Sequence, residues 1–85
     1  MSADEIRSRI KEAVSRIAGI SMDRISDDAR FIEDLGLDSL SIIESLVVVE
    51  HEFRLQPQQE DMETRVKSIE EAVQLVQSQL IRKAG

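Results

Sequence analysis

Apolar residues recur at helical spacing in separate stretches of the chain, and a long irregular interval divides the first two. Ile6, Ile10, Ala13, Val14 and Ile17 fall at i, i+4, i+7, i+8 and i+11. That spacing is one face of a helix, with Arg7, Lys11, Glu12 and Arg16 off it. Ser2-Ala3-Asp4-Glu5 reads as a capping box at its start, and Gly19 as its stop. From Ile20 to Asp38 the periodicity is lost among turn formers such as Ser21, Asp27, Asp28 and Asp34. Ile20, Ile25, Phe31, Leu35 and Leu37 are spread through this interval and predict a connection pinned to the core. A turn of helix is expected over Met22–Ile25, capped by Ser21.

A second helix is predicted from Ser39 to about Phe53, with Asp38 as its N-cap. At about 100° per residue, Ile42, Leu46, Val49 and Phe53 share one stripe, assigned to the core. Leu40, Ile43 and Val47 form a neighbouring stripe flanked by Glu44, Glu50 and His51. It is either a widened core face or an exposed apolar strip rimmed by acids, which suits partners with basic rims. Pro57 ends this region, and a short third helix is expected over about Gln58–Arg65, with Met62 and Val66 inward. Ser68-Ile69-Glu70-Glu71 is a second capping box. It opens a last helix with Ile69, Ala72, Val73, Val76 and Leu80 inward, and Arg82 and Lys83 at its negative end. No stretch alternates long enough for a strand, so the fold class is all-α, a four-helix bundle in one domain over residues 1–85.

Composition narrows the function. Asp and Glu number 17 against 11 Lys and Arg, a net charge of −6, which disfavours nucleic acid and anionic lipid as partners. With two Phe, no Trp and no Tyr, base-stacking platforms are not expected. The absence of Cys excludes disulfides and thiolate metal sites. No apolar run reaches the roughly 20 residues of a membrane span, and the acidic first residues do not resemble a secretory signal. A cytoplasmic monomer is expected.

Candidate chemistry centres on Phe31-Ile32-Glu33-Asp34-Leu35-Gly36-Leu37-Asp38-Ser39-Leu40. Serine-hydrolase chemistry would need a base at Ser39. The sole histidine, His51, lies further along the same predicted helix, about 18 Å away at 1.5 Å per residue. Glu33, Asp34 and Asp38 lack the spacing of a calcium loop and are read as caps and solvated acids, so no metal is assigned. The glycines are isolated and form no nucleotide-binding loop. What remains is Ser39 as a modified residue. A hydroxyl in the first turn of a helix sits beside orphan N–H groups and the positive dipole end, a setting that favours a phosphate.

The longer pattern, Phe31-x-x-Asp34-Leu35-Gly36-x-Asp38-Ser39-Leu40, then Glu44 and Glu50-His51-Glu52-Phe53, closely resembles the acyl carrier protein family. The resemblance extends to Ser68-Ile69-x-x-Ala72-Val73 in the last helix. It implies a four-helix bundle with a short third helix and no catalysis of its own. Ser39, beside its capping Asp38, would carry 4′-phosphopantetheine, installed from coenzyme A by a phosphopantetheinyl transferase. The arm's thiol would hold acyl groups as thioesters, in a chain that has no Cys. The family's partner-recognition helix maps onto Leu40, Ile43, Glu44, Val47, Glu50 and His51, facing acyl-loading and acyl-processing enzymes with basic patches. Leu46 would line a pocket for sequestered acyl chains. Two departures stand out: Ser41 where fatty-acid carriers often have an acid, and Arg54-Leu55-Gln56-Pro57-Gln58-Gln59 where they often have an acid-rich stretch. The segment before Ser68 is also lengthened. These departures imply a specialised lipid or polyketide pathway rather than housekeeping fatty-acid synthesis. The Leu-Gly-x-Asp-Ser core differs from the Gly-Gly-His-Ser of peptidyl carriers. A non-covalent helical interaction module is the reading from outside the family.

Overall fold

The computed structural model describes residues 2–55 and 66–84. Among these residues the chain forms three α-helices, α1 (Ala3–Ala18), α2 (Ser39–Glu52) and α3 (Ile69–Ala84), with a short 3-10 helix at Met22–Arg24. The all-helical class agrees with the apolar periodicity. The expected third helix over Gln58–Arg65, with Met62, lies outside the described residues.

α1 starts where Ser2 Oγ accepts the Glu5 N–H, as the capping box predicts. It ends where Gly19 turns into the left-handed region at φ 70° and donates its N–H to the Ser15 carbonyl. A side chain is disfavoured at that backbone angle, which is why glycine serves as the stop. α1 packs against both α2 and α3. Ile6, Ile10, Ala13 and Val14 are buried at these contacts, while Ile17 is half-buried. The Arg7 guanidinium clamps α1 to α3 through a fork onto both Glu70 oxygens at 2.8–3.1 Å. Lys11 pairs with Asp27 and so holds the connection to α1. Asp27's carboxyl is lowered from its ordinary value, first by that hydrogen bond.

The connection from Ile20 to Asp38 folds into the core. Ile25, Ala29, Phe31 and Leu37 are buried, and Ile20 and Leu35 pack against the core from its edge. Ser21 precedes the 3-10 turn, but its side chain makes no cap bond; its carbonyl accepts the Arg24 N–H instead.

A short antiparallel bridge joins Arg30 to Ser68. The Phe31 N–H donates to the Lys67 carbonyl and the Ile69 N–H to the Ala29 carbonyl, each at 2.9 Å. This bridge ties the connection to the strip of chain that enters α3. Half of the capping box there is formed: Ser68 Oγ accepts the Glu71 N–H, while the Glu71 carboxylate accepts the N–H of Lys67 and not that of Ser68. Ile69, Ala72, Val73 and Val76 face inward, and Leu80 is half-buried at the core's edge.

Candidate attachment site

The loop before Ser39 is built on one aspartate. Asp34 accepts from the Arg30 N–H at 2.8 Å and from the Arg30 guanidinium at 3.1 and 3.2 Å. The Arg30 carbonyl in turn accepts the N–H groups of Asp34 and Leu35. The Arg30 side-chain hydrogen bond, then its backbone N–H, holds the Asp34 carboxyl below its ordinary value. Gly36 then takes φ 68°, and the Leu37 N–H returns to the Phe31 carbonyl at 2.9 Å. That left-handed residue reverses the chain between buried Phe31 and buried Leu37 and delivers Asp38 to the start of α2.

Asp38 is extended and caps the helix: its Oδ1 accepts the Ser41 N–H at 2.8 Å. The same N–H holds the Asp38 carboxyl below its ordinary value. Ser39 is the first helical residue and is exposed. Among the described residues its hydroxyl has no hydrogen-bond partner, and no acceptor takes the N–H of Ser39 or Leu40. Ser39 opens onto a cavity of about 60 Å³ lined by Ile32, Glu33, Ile42, Val66 and Lys67 as well. His51 lies on the same helix as Ser39, toward its other end, and is exposed. Among the described residues, no group of three or more acidic or imidazole side chains is placed to hold a metal.

The two faces of α2 separate largely as expected. Ile42, Leu46 and Val49 are buried, and Phe53 packs against the core from its edge. Leu40 and Val47 are 63% and 44% exposed, and Glu44 and His51 are exposed beside them. Ile43 is half-buried between the two faces.

Glu50 corrects the expectation. It is 3% exposed and accepts from the Gln79 side-chain amide on α3 at 3.3 Å. The helical wheel explains this: Glu50 is four residues from Leu46, about 40° around the helix, but about 60° from Val47. Ser45 was also missed; it is buried and donates to the Ser41 carbonyl at 2.8 Å. A hydroxyl that returns its bond to the preceding turn can occupy a core face, and the signal was its position one turn before Val49.

Comparison with known proteins agrees with this geometry. Residues 8–76 match the family model described as "Phosphopantetheine attachment site". The chain is similar to an acyl carrier protein of Chloroherpeton thalassium, with 29% identity over 76 residues, covering 89% of this chain and 94% of that one. The matched segment runs from α1 through the Asp34–Ser39 loop and α2 into α3. With a model of the attachment site matched over most of its length, the chain belongs to the acyl carrier protein family, carriers rather than enzymes, whose cofactor is 4′-phosphopantetheine.

Proposed function

We propose that Ser39 carries the 4′-phosphopantetheine arm and that the protein delivers acyl groups between biosynthetic enzymes. The observation that carries this reading is the exposed Ser39 hydroxyl, unpartnered among the described residues, in the first turn of α2 and inside the family-matched segment. The residues around it fit the group. The orphan amides of Ser39 and Leu40, together with the helix dipole, favour a phosphate diester. The cavity beside Ser39 has apolar walls at Ile32, Ile42 and Val66. When bound, the arm supplies a terminal thiol that holds acyl groups as thioesters. Asp38 fixes the helix start, Asp34 fixes the loop, and Ser39 supplies the hydroxyl that a phosphopantetheinyl transferase modifies.

Leu40, Ile43, Glu44, Val47 and His51 form the docking face for acyl-loading and acyl-processing enzymes with basic patches. Glu50 leaves that set because it is buried against Gln79. A specialised lipid or polyketide pathway is favoured over housekeeping fatty-acid synthesis, on Ser41 and on Arg54 at the end of α2. The protein acts as a single carrier domain and a monomer.

The test is incubation with coenzyme A and a broad-specificity transferase, read by intact mass. The wild type should gain one phosphopantetheine and Ser39→Ala none. A wild type that never gains mass overturns the carrier reading and leaves the non-covalent module. Pathway assignment follows from the acyl groups found on the protein from its own host: straight saturated chains alone would indicate the housekeeping role.

A further inference from the structure

Among the described residues Lys67 is the cation that lines the cavity beside Ser39, and the family resemblance assigned it nothing. Its main chain is fixed on both sides. Its carbonyl accepts the Phe31 N–H at 2.9 Å, and its N–H donates to Glu71 Oε2 at 3.2 Å. The side chain is exposed, and among the described residues no carboxylate pairs with its ammonium. Glu33, the other charged residue lining the cavity among the described residues, faces Arg30, with 3.6 Å between Nε and Oε2. A fixed backbone, an ammonium unpaired among the described residues and a shared small cavity with the Ser39 hydroxyl are what a phosphate ester on that hydroxyl would meet.

We propose that Lys67 is a positioning residue for the prosthetic arm: its ammonium pairs with the phosphodiester on Ser39 and holds the arm's first segment over the apolar mouth formed by Ile32, Ile42 and Val66. The proposal rests on Ser39 carrying the arm. The phosphodiester bears one negative charge, and an opposite charge at contact distance forms a charge-assisted hydrogen bond. The orphan amides of Ser39 and Leu40 approach the phosphate from the helix axis, and Lys67 approaches from the strip that enters α3. The phosphate is then held from two elements instead of one. Glu33 lies 3.6 Å from the Arg30 guanidinium, which offsets part of its pull on the ammonium.

The experiment uses the full chain loaded with the arm, with loading verified by intact mass, and compares wild type, Lys67→Met and Lys67→Arg. The readout is the 31P resonance of the phosphodiester, with backbone amide spectra to verify that each variant keeps the fold. Lys67→Met should displace the 31P resonance, and Lys67→Arg, which keeps the charge, should restore it toward the wild-type position. The wild-type and Lys67→Met difference should shrink as salt is raised, because the pair is at the surface. Superimposable 31P resonances for wild type and Lys67→Met, in proteins of verified mass, overturn the role of Lys67 and leave the attachment reading standing. Failure of the wild type to gain the arm overturns both together.

Discussion

Replacing Leu46 with alanine tests the division of α2 into a core face and a docking face. Leu46 is 1% exposed within the core cluster, between Ile42 and Val49 along the stripe. The substitution removes three carbon atoms, which at about 0.8 kcal/mol per buried methylene is a loss of about 2.4 kcal/mol in transfer alone. A cavity that does not collapse brings the total to about 2–5 kcal/mol. A chain of this size has roughly 4–13 kcal/mol of stability, so the loss is a large share of the whole. In urea, with a slope of about 1 kcal/mol per molar, the unfolding midpoint should fall by about 2 M or more. Val47→Ala, one residue on and 44% exposed, should move the midpoint little, within about 0.5 kcal/mol. The assay is equilibrium urea unfolding followed by far-ultraviolet circular dichroism. Equal midpoints for Leu46→Ala and wild type, or a larger loss at Val47, would refute the assignment of faces.

Glu44→Lys should leave the unfolding midpoint near that of the wild type while weakening binding to an acyl-processing partner, read by titration calorimetry. Glu50→Ala should do the reverse, costing about 1–3 kcal/mol because the buried Gln79 amide loses its acceptor. Gly36→Ala should destabilise by about 1–2 kcal/mol through its positive φ, although no neighbouring atom lies within 4 Å of the added carbon. Asp34 and Asp38 both have lowered folded values, so their contribution is complete above the ordinary aspartate value of 3.8 and is lost as the pH falls below it through the folded values. Stability measured from pH 6 downward should therefore fall mainly below about 4, and Asp34→Asn should flatten that fall.

The helices were legible because each carries its own periodic face and its own cap. Ser2, Asp38 and Ser68 make the bonds that their spacing predicted. The core of the irregular connection was legible too, since Ile25, Phe31 and Leu37 had no reason to be apolar in an exposed loop. What escaped was long-range or angular. The bridge between Arg30 and Ser68 joins distant residues through main-chain groups, which carry no residue-specific signal. Glu50 escaped because its charge suggested solvent, while its angle and the facing Gln79 on α3 place it inside. Lys67 escaped for the same reason as the bridge: only the pairing of the loop with the α3 entry brings it to the cavity at Ser39.

The central claim is that Ser39 bears the arm, and the most direct measurement is fragmentation mass spectrometry of the protein purified from its own host. The peptide spanning Asp38, Ser39 and Leu40 should carry one phosphopantetheine on the serine, with or without an acyl group on its thiol. The same peptide unmodified after treatment with transferase and coenzyme A, or the arm located on another serine, would contradict the account.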